Sequence, residues 1–183
     1  MNKKKIVVLV GKEGTRLNEI RDFIIKKYDA CPMQYYTTNP TINQQYMTYL
    51  NPNGYIEKIF DETILEARIN NSEVEGSYIP DENKNLFVGI YSPYSLESLC
   101  QSNKVDICPI IVNRDERKRF MSLMKANPYM PMKTLCNYFV KKDKEWDEDY
   151  IASNITINCH SYNDKKNDYK FKGIVSILDN FVK

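Results

Sequence analysis

The sequence predicts an α/β fold: a parallel sheet with helices on both faces, in three layers. Two observations predict it. The run Ile6-Val7-Val8-Leu9-Val10 is apolar and β-branched, turns at once through Gly11-Lys12-Glu13-Gly14, and gives way to helical spacing of apolar residues from Leu17 to Tyr28. Two later apolar runs, Leu86 to Tyr91 and Asp106 to Val112, are each followed by a helical pattern. Strands that alternate with helices are the signature of strand–helix–strand units and a parallel sheet.

The remaining elements follow in order. Met33 to Thr38 is rich in β-formers and reads as a strand ended by Asn39-Pro40. Residues 39–58 are polar, with Asn51-Pro52-Asn53-Gly54 as a turn, and read as an irregular excursion. Asp61 to Asn70 reads as a short helix, capped by Asp61, with Ile64, Leu65 and Ile69 on one face; a polar hairpin or loop runs on to Asn85. Leu86 to Tyr91 is a buried strand stopped by Ser92-Pro93, and Tyr94 to Cys100 a short helix. Asp106 to Val112 is another strand, although Pro109 interrupts it. Asp115 to Lys125 is a charged helix broken by Asn127 to Pro131. Met132 to Asp149 is a longer helix with Leu135, Tyr138, Phe139 and Trp146 inward. Asn154 to Asn158 is a last short strand, residues 161–170 a charged connection, and Gly173 to Val182 a closing amphipathic helix. No repeat or linker divides the 183 residues, a length that suits one domain with a substantial core.

Composition narrows the partners. A net charge of +2 sets up no global field for nucleic acid or an anionic membrane, and no apolar run approaches the roughly 18 residues of a membrane span. The basic start Met1 to Lys5 leads into five apolar residues, too few for a signal-peptide core, so a first strand and a cytoplasmic location are expected. The five cysteines are odd in number and lack C-x-x-C spacing, which favours reduced thiols over a disulfide framework or a zinc site, and no metal ligands are expected. His160 lies beside Cys159, but neighbours on a strand point to opposite faces, so a Cys–His nucleophile is not expected.

Gly11 to Asn18 stands where a phosphate-binding loop would carry G-x-x-x-x-G-K-S/T. Here the second glycine is Arg16, the lysine Leu17 and the hydroxyl residue Asn18. Five strings in order resemble the guanylate kinase family, and most closely the divergent guanylate-kinase-like proteins of phages and their low-GC hosts. They are Val10-Gly11-Lys12-Glu13-Gly14, Tyr36-Thr37-Thr38-Asn39-Pro40, Ile90-Tyr91-Ser92-Pro93-Tyr94-Ser95-Leu96-Glu97-Ser98-Leu99, Ile111 to Phe120 with Arg114, Arg117 and Arg119, and Lys141-Lys142-Asp143-Lys144-Glu145-Trp146. The resemblance implies a nucleoside monophosphate kinase fold over 1–183, with 39–85 as the acceptor-binding excursion and 125–134 as a lid-type segment.

Phosphoryl transfer depends on positioning and charge neutralisation, and the resemblance locates the parts. Gly11, Lys12, Gly14, Thr15 and Arg16 are the donor-nucleotide loop. Lys12 and Arg16, with Arg114 and Arg117 from the basic cluster, are the catalytic cations. Thr38, Tyr46, Tyr55, Tyr78 and Glu75 (or Glu73) form the acceptor side, with Tyr49 nearby. ATP and Mg²⁺ are implied if the protein is active. Yet Leu17 replaces the loop lysine, Asn39 stands at the first acceptor arginine, and 125–128 holds no arginine. The expectation is therefore a catalytically impaired module that binds a nucleotide or a protein, the alternative being an active (deoxy)nucleoside monophosphate kinase with a rearranged site. A chance likeness would leave the strand at 107–112 away from the first strand.

Overall fold

The computed structural model describes residues 3–41, 46–60, 64–70, 73–79, 83–144, 146, 159–164 and 170–183. The strands are β1 (Lys4–Val10), β2 (Cys31–Pro32), β3 (Gln34–Thr37), β4 (Met47–Tyr49), β5 (Ile64–Asn70), β6 (Glu73–Tyr78), β7 (Leu86–Ile90), β8 (Val105–Asn113) and β9 (His160–Asn163). The helices are α1 (Leu17–Tyr28), α2 (Pro52–Phe60), α3 (Pro93–Gln101), α4 (Glu116–Ala126), α5 (Met132–Lys144) and α6 (Lys172–Phe181).

The central sheet has five parallel strands in the order β2-β7-β1-β8-β9. β1 lies in the middle, with Val8 opposite Gly89 of β7 and Pro109 of β8. The strand at 107–112 is thus beside the first strand, contrary to what a chance likeness predicts. Among the described residues β9 pairs with β8 from Ile110 to Asn113, so Pro109, which has no N–H to give, precedes that pairing.

Residues Ile6 to Val10 are at most 1% exposed, which requires cover on both faces. Val7 and Leu9 pack with Ile20 and Ile24 of α1 and Ile174 and Leu178 of α6. Ile6, Val8 and Val10 pack on the opposite face with Leu96 and Leu99 of α3. These are the three layers. A second sheet, β4-β3-β6-β5, stands at one end of the first, tied to it by Met33 N donating to Val88 O and by Leu65 in the α3-side core. α4 and α5 form a hairpin around Leu123, Leu135 and Phe139. Among the described residues no helix is long and apolar enough to cross a membrane.

The expected helix at 61–70 is the strand β5, paired antiparallel with β6; Asp61 lies outside the described residues. The pairing of β5 decides the element: Glu66 to Asn70 run opposite Ser77 to Glu73, and a bulge at Leu65 breaks the register after Ile64. The expected turn at 51–54 begins α2. The Asn51 side chain accepts from Gly54 N at 2.8 Å, and Pro52 stands at the first helical position, where its missing N–H leaves no bond unmade. The excursion also contributes β4, so it is not irregular throughout. The longer helix ends at Lys144; Leu135 and Phe139 are buried as expected, Tyr138 is exposed, and Trp146 packs on the α3-side core. The expected strand at 154–158 lies outside the described residues, and part of the expected connection forms β9 at 160–163.

Ile69 is 80% exposed and Leu65 is 8% exposed, whereas one helical face would have buried both. Leu65→Ala is expected to lower unfolding free energy by about 2–4 kcal/mol and Ile69→Ser to change it by less than about 0.5 kcal/mol, as measured by denaturant titration.

Candidate functional site

α1 leaves the end of β1 toward one face of the sheet, and α3 leaves the end of β7 toward the other. The chain therefore parts above β1 and β7, and in open α/β sheets ligands bind in the crevice at such a switch point. One side of this crevice is the loop Gly11 to Arg16. The other is a cavity between α1, α3 and the second sheet.

The loop is tightly held. A Cβ on Gly11 would meet Thr15 Oγ1 at 2.8 Å, Val112 O at 3.0 Å and Leu17 Cδ2 at 3.2 Å. Thr15 donates to Lys12 O through both its N–H (3.1 Å) and its hydroxyl (2.7 Å). Gly14 has φ +80°, and a Cβ there would lie 2.5 Å from Arg119 O, so only glycine allows this approach to α4. Arg114 donates to Gly14 O at 3.1 Å, and Arg119 donates to Glu13 O at 3.2 Å. Two loop carbonyls thus face cations of this chain.

The basic cluster is divided. Arg119 is buried and gives a two-pronged contact to Asp143 at 2.6 and 2.7 Å, with its guanidinium over the Phe139 ring. Hydrogen bonding from Arg119 holds the Asp143 carboxyl below the usual aspartate range, and the Lys12 charge adds to the effect. Arg16 pairs with Glu19 at 2.5 Å, lies over the Phe171 ring and stands 3.6 Å from Asp164. Arg114 donates to Ser122 Oγ at 2.7 Å and stands 3.2 Å from Asp164. Of the four expected catalytic cations, Arg16 and Arg114 meet through Asp164, Lys12 lies toward Asp143, and Arg117 is exposed on α4. Asp164 was not anticipated, because it follows a strand whose position the sequence did not reveal.

The cavity is about 650 Å³ and is lined by Asn18, Arg21, Tyr35, Tyr46, Glu66, Arg68, Glu75, Tyr91, Ser92 and Ser95, among others. Arg21 lies 5.0 Å over the Tyr46 ring, and Arg68 pairs with Glu75 at 3.1 Å. Glu66 is buried; burial pushes its carboxyl up, against a hydrogen bond to Ser95 and the charge of Arg68. Ser92 caps α3 by accepting from Ser95 N at 3.2 Å. The Tyr35 hydroxyl accepts from Ile90 N at 2.8 Å and donates to Ile90 O at 3.0 Å, which closes the floor.

Of the expected acceptor residues, Tyr46 and Glu75 line this cavity. The other three sit elsewhere in the second sheet and α2. Thr38 exchanges hydrogen bonds with Val74, Tyr55 packs against Tyr36, and Tyr78 lies under Lys58. Asn39 donates to Glu73 at 2.8 Å. Arg21, Glu66 and Arg68 were missed; the alternation through β5 was the available signal for the last two. Among the described residues no three His, Cys, Asp or Glu side chains are grouped to hold a metal ion. Cys159 packs on the α3-side core while His160 is exposed.

No family model and no curated protein matches the chain. Solved structures do. A guanylate kinase from Anaplasma phagocytophilum superposes with TM-score 0.54 at 8% identity, over 98% of this chain and 86% of that one. An uncharacterized protein from Eubacterium ventriosum gives 0.54 at 13% identity over 97% and 99%. A gluconokinase from Sinorhizobium meliloti gives 0.52 at 9% identity over 100% and 98%. The chain has the α/β fold of these kinases, a parallel five-stranded sheet between helices.

The lowered Asp143 carboxyl links stability to pH. Its contribution is full above the unfolded aspartate value, about 3.9, and is lost as pH falls through the lower folded value. Between pH 5 and pH 2.5, roughly the span of that loss, wild-type Tm is expected to fall more steeply than that of Asp143→Asn, as followed by circular dichroism.

Proposed function

We propose that this chain is a degenerate guanylate-kinase-like protein that binds a nucleotide through the cavity and has lost efficient phosphoryl transfer. The observation that carries this reading is the contrast between the two sides of the crevice. The loop carbonyls of Glu13 and Gly14 are held by Arg119 and Arg114, Arg16 is engaged by Glu19, and the lysine position is Leu17. The cavity stays open and keeps Arg21, Arg68, Glu66 and Glu75 beside Tyr46.

A metal-bound triphosphate fits the loop poorly. Asn18 stands at the position of the metal-binding hydroxyl and brings an amide in its place, and the Leu17 side chain packs near Gly11. No step through ATP or Mg²⁺ is derived from these residues. The cavity volume falls within the range of sites for compact organic ligands. Arg21 and Arg68 supply cations for an anionic group, Tyr46 a flat face for a ring, and Glu66 and Glu75 acceptors for ring N–H groups. A protein segment is the other occupant of the same cavity. All five cysteines are free thiols, in keeping with a reducing, cytoplasmic compartment.

The test is a thermal-shift screen with GMP, dGMP, GDP, GTP and ATP, with and without Mg²⁺, beside a coupled assay of ATP-dependent transfer to nucleoside monophosphates. The expected result is no turnover, with stabilisation by a monophosphate that reaches roughly 2.7 kcal/mol at about 100 times its Kd. Arg21→Ala should weaken that binding about tenfold, the loss of one charge-assisted contact. Turnover abolished by Lys12→Ala or Arg16→Ala would overturn the reading in favour of an active kinase, with Arg114 and Arg117 acting from the lid side.

A further inference from the structure

We propose that the exposed stripe of α4 and the tip of the α4–α5 hairpin form a docking surface for an acidic amphipathic helix of a partner protein, with Tyr129 as its anchor. None of the residues concerned lines the cavity, so the proposal goes beyond the nucleotide reading and does not rest on it.

Between Glu116 and Asp143 the sequence holds seven lysines and arginines and no acid, in a chain whose net charge is only +2. Charge so segregated sets the sign of what binds there. Arg119 is buried against Asp143, whereas Arg117, Lys125, Lys133 and Lys141 are exposed. Leu123, Leu135 and Phe139 close the hairpin, with Phe120 and Met124 packed on them. Arg117, Met121 and Lys125 are thus left along one exposed stripe of α4, at four-residue steps. Each step rises about 6 Å. A thioether with a cation one turn to either side is the complement of an apolar residue between two carboxylates at the same period. A second helix laid along α4 presents that period. A phosphate backbone has nothing apolar to set over Met121.

The tip adds the apolar anchor. Tyr129 is 97% exposed, and Met130 and Met132 are exposed after it. The turn that carries them is well tied. Asn127 donates to Leu123 O through its N–H and through its side-chain amide, both at 3.0 Å. Met130 N donates to Asn127 O at 3.1 Å, and Leu135 N donates to Pro131 O at 3.0 Å. Pro128 and Pro131 fix φ on either side of Tyr129 and Met130. An aromatic ring held out on a preorganised turn gives up little freedom on binding, and tyrosine is among the residues that carry most binding energy at interfaces. The methionines supply a surface that adapts to the partner's side chains. Lys125 and Lys133, one on each helix, flank the tip in sequence, so an apolar centre has a cationic rim.

The probe is a fluorescently labelled synthetic helical peptide of Glu, Leu and Ala with its leucines on one face. It is titrated with the full chain at low salt and followed by anisotropy. A control peptide of the same composition has its leucines spread round the helix. The first peptide is expected to bind at least about tenfold more tightly than the control. Lys125→Glu and Tyr129→Ser should each weaken it about tenfold. Both positions are exposed, and a Tm for each variant confirms that it folds. In ¹⁵N spectra of wild type the peptide should shift amides within 117–133 and leave those of Arg21, Tyr46 and Arg68 in place. Absence of binding at millimolar peptide, equal binding of the two peptides, or an affinity that survives both substitutions overturns the proposal. So does tighter binding of a single-stranded oligonucleotide or of phosphatidylserine vesicles that the same substitutions abolish. A dimer of the chain alone that Lys125→Glu disperses in sedimentation overturns it in favour of a second copy. None of these results bears on monophosphate binding in the cavity or on turnover, so the functional reading fails or stands separately.

Discussion

β1 is paired on both edges and buried on both faces, and the architecture follows from that constraint. A strand with no exposed side chain from Ile6 to Val10 needs helices above and below it. α1 and α6 cover the face of Val7 and Leu9; α3 covers the face of Ile6, Val8 and Val10. Because α1 follows β1 and α3 follows β7, the two connections depart to opposite sides. The crevice at the ends of these strands is a consequence of burying β1, and any ligand chemistry of this fold has to be built there.

The two sides of that crevice differ in how their charges are satisfied. On the loop side, Arg16 is engaged by carboxylates, and Arg114 and Arg119 each by a carboxylate and a backbone carbonyl of the chain itself. A cation committed in this way has little left to offer a ligand, and charge-assisted contacts between preorganised partners are the strong ones. On the cavity side, Arg68 is more than half exposed, and Arg21 pairs with its solvent-facing neighbour Asp22 and lies over Tyr46. Each of these pairs keeps one partner in solvent, which screens it. The α4–α5 hairpin supplies the engagement on the loop side: Asp143 on α5 orients Arg119 on α4, and Arg119 in turn orients the Glu13 carbonyl.

The elements that could be read from sequence were those whose own periodicity exceeds local noise. β1, β7 and β8 are apolar runs, and α1 and α6 are amphipathic over ten residues or more. β5 was misread because Ile64, Leu65 and Ile69 also match a helical stripe, and only pairing with β6 selects the period of two. Asn51-Pro52 signals a turn and a helix start equally well, and the packing of Tyr55 against Tyr36 favours the helix. Within the site, the loop was legible because it is contiguous. Arg21, Glu66 and Arg68 were not, because they converge from two elements more than forty positions apart.

The sequence by itself determined the layered α/β class and the glycine turn after β1, and it showed which charged groups of a phosphate loop are missing. These are local properties: burial of a β-branched run, freedom of φ at Gly14, and the chemical identities of Leu17 and Asn18. Only the tertiary structure decided what the remaining charges do. It brought Asp164 from the end of β9 to Arg16 and Arg114, and Asp143 from α5 to Arg119. It also set Arg21 and Tyr46 against Glu66 and Arg68 across an open cavity. Electrostatic partnership depends on distance and burial in space, and neither quantity is written in the order of residues along the chain.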